Sequence, residues 1–447
     1  MSNVIRDCDV QFDITVPVVV IGAGAAGLIA GLAAHEKGVE VLIVEREASP
    51  SGSTALSSGL IPACGTRWQA AINVVDDVET FSKDIQYKNK KQADELLVHK
   101  ACSLSGEVLH WLVDNHGQQF DLIDSFLYPG HSVHRMHCHP KRTGKALIDS
   151  LVTAVDKAGI DIINSATVTD IFASKTSNIR GIRILRPDGS TEDIGCDSLI
   201  LACNGFGGNS SMVSNYIPEM ADAMYFGHPG NRGDAVNWGI GLGAAIKNMG
   251  AYQGHGSVAI PHGALITWAI MMEGGIQLNS TGRRFSNEHE GYSEQSIKVL
   301  QQPGGIAWNI YDERLHQLGL EFEDYRGALE NGAIKHFASV DELARSIGAS
   351  SEITTNSLED LKAFEIGKKH CPFGRNFQKT GAIKGPPYYG VKVTGALFHT
   401  QGGLDVNTEA KVLRKDNSAL TNLFAAGGAA VGISGKGVEA VSYTHLT

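Results

Sequence analysis

Residues 16–21 form an unbroken apolar run, Val-Pro-Val-Val-Val-Ile. That pattern suits a parallel strand covered on both faces. Pro17 stands near its start, where a missing N–H is tolerated. The run stops at Gly22-Ala-Gly24-Ala25-Ala-Gly27, a helix-compatible stretch follows to Lys37, and Gly38 supplies the stop. A second strand is predicted over 39–44, ending on Glu45. Residues 182–194 predict a hairpin about Pro187-Asp188-Gly189. Residues 198–202 predict another buried strand, ending at Ala202 and opening into Cys203-Asn204-Gly205-Phe206-Gly207-Gly208. Residues 422–426 repeat the theme before Gly427-Gly428.

The first strand–turn–helix has a specific chemistry. Gly22 permits a sharp turn, Gly24 lets a pyrophosphate approach the backbone, and Gly27 lets the helix pack close to the strand. The helix N-terminus then faces the phosphates. Glu45, at the end of the next strand, is placed to accept hydrogen bonds from a ribose diol. By contrast, Gly239-Ile-Gly241-Leu-Gly243 fits the relaxed glycine pattern but follows a helical stretch beginning at Asp234. It predicts small-residue helix packing, so a second dinucleotide site is not expected.

Length and charge narrow the class. A chain of 447 residues predicts two domains. A net charge of −10 argues against nucleic acid and anionic membranes as partners. No apolar run reaches the length of a membrane helix. The first fifteen residues carry Arg6, Asp7, Asp9 and Asp13 and lack the apolar core of a signal peptide, which predicts a cytoplasmic protein. The seven cysteines are scattered without a Cys-x-x-Cys, as reduced thiols would be.

Together these stretches resemble the flavoprotein family of fumarate reductase and succinate dehydrogenase, with its 3-ketosteroid dehydrogenase and tricarballylate dehydrogenase relatives. The resemblance rests on Gly22 to Gly27, Ser53 to Gly59, Gly282-Arg-Arg-Phe285-Ser-Asn-Glu288, His399-Thr-Gln-Gly402-Gly403-Leu-Asp405 and Ala425-Ala-Gly427-Gly428. It implies an α/β fold: a split, Rossmann-like FAD-binding domain (1–253 and 399–447) around an inserted α+β cap (254–398). The expected cofactor contacts are Gly22, Gly24, Ala25, Gly27, Glu45, Arg46, Ser53, Thr54, Ser58, Gly59, Val168, Ala202, Asn204, Gly205, Asp234, Gly427 and Gly428. Membrane-bound members carry FAD on a histidine within the serine-threonine stretch. Residues 51–59 contain none, so FAD is expected to be noncovalent.

The resemblance also implies substrate residues. His255 and His399 match the histidines that hold a substrate carboxylate. Where fumarate reductases place a proton-donating arginine, beyond the Gly-x-Arg-Phe motif, this sequence has Tyr292. The relay feeding that arginine falls on Trp268 and Met271, which carry no protons. Tyrosine there resembles the 3-ketosteroid dehydrogenases, in which a tyrosine takes the proton beside a ketone. Tyr389, in Pro387-Tyr388-Tyr389, resembles their second, ketone-polarising tyrosine. The implied activity is FAD-dependent oxidation or reduction of a C–C bond beside a carbonyl or carboxylate. The substrate would be a small ketone or carboxylate, with a separate electron donor or acceptor. Two other readings stay open, a non-catalytic flavoprotein or electron carrier and an amine oxidase of the aspartate-oxidase kind.

His131, His134, His137, Cys138 and His139 invite a metal reading, but the resemblance makes this stretch a loop before a helix, and no metal is expected. The resemblance implies a glycine-rich turn, which Gly432 to Gly437 begin, and then a final helix; the last eight residues, rich in β-branched and hydroxyl types, replace the continuation. They predict a chain truncated, or frame-shifted, just before that helix.

Overall fold

The computed structural model describes residues 3–6, 10–125, 127–128 and 130–435. The final eight residues and Cys8 lie outside them. Two compact units are present: one comprises 1–218, 227–253 and 399–447, the other 219–226 and 254–398.

The first unit is built on parallel strands in the order Asp161–Ile163, Val41–Val44, Ile14–Ile21, Thr191–Leu201 and Ala419–Ala425. The apolar runs at 18–21, 41–44 and 199–201 follow from burial on both faces. Val19 and Ile21 enter one core with Leu199, Leu201 and Trp238, and Val20 enters the other with Leu28, Leu32, Ile43 and Leu151. Helix Ala25–His35 covers the second face. The predicted hairpin is present, Ile179–Leu185 running antiparallel to Thr191–Leu201. Residues 198–202 are not a separate strand, however. They continue the hairpin's second strand, whose first half pairs with Ile179–Leu185 while its second half pairs with Ile14–Ile21 and Ala419–Ala425. The glycine-rich segment at 239–243 is helical, in Asp234–Leu242, and a Cβ at Gly239 would meet Leu404 at 2.1 Å.

The second unit holds a mixed, mostly antiparallel sheet ordered Ala264–Leu265, Tyr252–Ala259, Tyr388–Thr400, Ile306–Asp312 and Ile276–Leu278. Met224–Tyr225 and Ile334–Phe337 also pair with the long strand Tyr388–Thr400. Helices Tyr292–Leu300, Val340–Ile347 and Ser351–Glu365 accompany this sheet, which makes the unit α+β. Among the described residues no helix is long and apolar enough to cross a membrane.

Candidate functional site

In the first unit the turn after Ile14–Ile21 is shaped by its glycines. Gly22 has φ +106°, and a Cβ there would meet the Ala202 carbonyl oxygen at 2.6 Å. A Cβ on Gly27 would fall 1.9 Å from the Gly22 carbonyl oxygen. Both are glycine because backbone crowds them. Gly24 is different: a Cβ there would have nothing within 4 Å. The backbone at Gly24 is therefore open to the approach of a ligand. No side chain caps helix Ala25–His35 at Gly24, and its first N–H groups suit a phosphate.

Glu45 is fixed by two backbone donors, Ala23 N–H to Oε2 (2.8 Å) and Glu47 N–H to Oε1 (2.9 Å). Each oxygen keeps lone-pair capacity for a ribose hydroxyl. Arg46 pairs with Asp234 at 3.5 Å. The serine-threonine stretch opens as a short helix, Gly52–Ala55. Ser53 accepts from Asn231 (2.8 Å), and the Thr54 hydroxyl lies 3.5 Å from Ala25 N. Beyond Ser58, Gly59 has φ +65° and lies against Gly144. Asn204 holds a left-handed φ of +65°, and its side chain accepts from Gly205 N–H. A Cβ on Gly428 would strike the Asn204 side chain at 2.1 Å, and Gly427 adopts φ +58°. These residues form a set of close backbone turns at the ends of the parallel strands, where α/β sheets bind ligands, and they fit a dinucleotide cofactor. The Val168 side chain is buried in the core, which leaves its backbone as the group it could offer a ligand.

In the second unit His255 lies between two glycines on strand Tyr252–Ala259. A Cβ on Gly254 would meet Ser296 Oγ at 2.2 Å, and one on Gly256 would meet Gln295 at 2.9 Å. The pair lets helix Tyr292–Leu300 pack directly on the strand, where Ser293 Oγ accepts from Gly254 N–H (2.9 Å). The Tyr292 ring thereby stacks on His255, with centroids 5.0 Å apart and planes within 16°. Phe398 stacks with His255 as well (5.1 Å, 17°), and Trp268 meets it edge-on at 5.6 Å. Burial pushes the His255 imidazole down to about 3, so the ring is neutral. Ser257 N–H donates to its Nδ1 (3.2 Å), so the ring proton sits on Nε2. His255 is thus a neutral donor.

His399 belongs to the first unit, where its Nε2 lies 2.7 Å from Gln253 Oε1. Tyr389 is not brought to His255 and Tyr292. It lies nine residues before Phe398 on the continuous strand Tyr388–Thr400, about 30 Å at roughly 3.3 Å per residue. There it stacks on His316 (4.1 Å) and donates to Glu313 (2.6 Å). One substrate cannot span that length, so the expected ketone-polarising role of Tyr389 does not stand.

Sequence reasoning missed Arg375. It donates to Glu288 (3.0 Å), to the Gly275 carbonyl (2.7 Å) and to the Met271 carbonyl (2.9 Å). Arg284 forms a fork on the same buried Glu288 (3.0 and 2.6 Å). The two guanidiniums overcome burial and hold that carboxyl down to about 2. The Gly-Arg-Arg-Phe motif therefore builds an ion cluster that ties the Trp268–Met271 segment to the turn entering Tyr292. Its Arg–Glu spacing was a visible signal; nothing marked Arg375.

The histidine-rich stretch partly forms a strand, Met136–Cys138, and His137 Nε2 bonds Thr66 Oγ1 at 2.9 Å. Among the described residues no group of three or more His, Cys, Asp or Glu could hold a metal.

A family profile described as FAD binding domain matches residues 17–439. A probable fumarate reductase of Shewanella frigidimarina is 30% identical over 421 residues, 94% of this chain and 71% of that protein. An NADH:fumarate oxidoreductase of Klebsiella pneumoniae is 28% identical over 94% of this chain, which spans only 45% of that longer protein. Among solved structures, the open conformation of a flavocytochrome c3 fumarate reductase is similar with a TM-score of 0.82 and 29% identity. That match covers 98% of this chain and 77% of the other.

Proposed function

This chain belongs to the FAD binding domain family and is an FAD-dependent oxidoreductase, and we propose that it acts on a C–C bond conjugated to a ketone or carboxylate other than fumarate. FAD, when bound, supplies the hydride donor or acceptor. Gly22 to Gly27 and Glu45 hold its pyrophosphate and ribose. Binding is noncovalent, because residues 51–59 offer no histidine.

The remaining chemistry falls to side chains. His255 donates from Nε2 to the substrate oxygen and stabilises the negative charge that develops there. His399, steadied by Gln253, is a second candidate for holding a substrate carboxylate. The Tyr292 hydroxyl exchanges the proton at the carbon beside the carbonyl. The observation that carries this reading is the Tyr292 ring stacked on a neutral His255 where fumarate reductases have an arginine. A phenol replaces a fixed cation, so the site loses the charge that a dicarboxylate needs. A separate electron donor or acceptor completes the cycle. The cytoplasm is the compartment that suits its free cysteines.

The test is anaerobic. Oxidised holoenzyme should lose its flavin colour with a saturated ketone or acid, or the reduced form regain it with the unsaturated partner. Reduction of fumarate by a reduced dye should be slow. Fast fumarate turnover would overturn the reading.

A further inference from the structure

Four rings of the second unit form a column. Phe226 stacks on Phe398 (5.1 Å, 23°), Phe398 on His255 (5.1 Å, 17°) and His255 on Tyr292 (5.0 Å, 16°). Trp268 stands across this column, perpendicular to His255. It is only 5% exposed, yet its indole Nε1 has no hydrogen-bond partner among the described residues. A buried N–H left without an acceptor is costly, and native proteins seldom tolerate one without a reason. Beside it, His255 Nε2 carries the second donor. Neither His255 nor the side chains packed on it, Trp268, Tyr292 and Phe398, bring a positive charge. The nearby guanidiniums of Arg284 and Arg375 are already engaged by Glu288 and by backbone carbonyls.

From this juxtaposition we infer that the substrate is a planar conjugated compound with one acceptor group, a ketone or a single carboxylate, and that Trp268 Nε1 binds its oxygen and sets this specificity. The inference rests on the catalytic reading above for where the substrate lies. The ring column suits a flat apolar body. Two neutral donors satisfy one carbonyl or carboxylate. A second carboxylate among these rings would meet no cation from the described side chains packed on His255, which strongly disfavours binding there.

The test titrates FAD-loaded enzyme with trans-cinnamate, fumarate and trans-β-methylstyrene, which lacks the acceptor, reading the perturbation of the flavin spectrum. Wild type should bind cinnamate at least about ten-fold more tightly than fumarate. Trp268→Phe keeps the ring and deletes the donor. It should weaken cinnamate about ten-fold and leave β-methylstyrene unchanged. On the unaltered enzyme, β-methylstyrene should bind more weakly than cinnamate, a comparison that does not depend on how the variant folds. Equal binding of cinnamate and fumarate would overturn the inference, as would cinnamate affinity unmoved in Trp268→Phe. Tight, Trp268-dependent binding without reduction of the double bond would sustain this inference and sink the catalytic reading instead.

Discussion

The Tyr292 ring lies over His255 with 16° between their planes, and His255 Nδ1 is already occupied by Ser257 N–H. The stack fixes the phenol beside a ring whose only free proton is on Nε2. If that phenol exchanges the substrate proton, Tyr292→Phe should lower kcat by about 10²–10⁴-fold. KM should change little, because the ring and its packing remain. Stopped-flow flavin reduction measures this directly, and an unchanged rate would return Tyr292 to a packing role.

Glu45 offers a test of the cofactor site that is independent of substrate. Its carboxylate takes N–H groups from Ala23 and Glu47, so it orders the glycine turn, and in the proposed function it binds the ribose. Glu45→Ala should weaken FAD by about 1.5–3 kcal/mol, or about 10–150-fold in Kd. Fluorescence of FAD released on dilution gives the value. A wild-type Kd in the variant would mean that the ribose is bound elsewhere.

Acid should destabilise this protein through its buried histidines. Burial pushes His255 and His131 down to about 3 and His137 down to about 4. Their folded values lie below the unfolded 6.5, so folding requires the neutral ring. That stability is complete above about pH 6.5 and is lost as pH falls toward 3–4. At pH 5 each such histidine contributes about 2 kcal/mol to the loss. Chemical denaturation between pH 7 and 5 should therefore show a shallower pH slope for His137→Gln than for wild type. Identical slopes would place the His137 proton equilibrium near its ordinary value.

Glu288 anchors the cap's ion cluster. Removing its charge leaves Arg284 and Arg375 buried together without a carboxylate. Glu288→Gln should cost about 3–5 kcal/mol, seen as a lower melting temperature of the holoenzyme. A stability within about 1 kcal/mol of wild type would show that the cluster opens to water.

Much of the cofactor half was legible along the chain because its determinants are local. Gly22, Gly24 and Gly27 occupy one turn, and Glu45 ends the next strand. The substrate half depends on partners far apart in sequence. Arg375 reaches Glu288 from a loop without periodicity, and no spacing rule connects the two. Tyr389 was misplaced for a related reason. A motif match places a residue on a strand but does not count the extended backbone separating it from the other ligands. The two glycines about His255 were visible as letters. Their purpose, admitting a helix from nearly forty residues on, was not.

Those glycines give the sharpest test of how the site is built. Gly254 and the helix Tyr292–Leu300 are in direct contact, and a methyl group at Gly254 would sit 2.2 Å from Ser296 Oγ and 3.3 Å from the Ala396 carbonyl oxygen. Ser296 Oγ is itself committed to the Ser293 carbonyl at 2.6 Å, so it cannot simply rotate away. In Gly254→Ala the helix must withdraw and carry Tyr292 at its first turn away from His255. The proposed FAD contacts at Gly22 to Gly27 and Glu45 belong to the other unit and have no part in this packing. The variant should therefore keep wild-type FAD affinity while losing turnover about as severely as Tyr292→Phe. Overpacking of this kind costs about 1–3 kcal/mol in stability, which a folded holoenzyme can absorb. Flavin content, melting temperature and kcat measured on one preparation separate the effects. Full activity in Gly254→Ala would mean that the Tyr292–His255 stack is not needed for the chemistry.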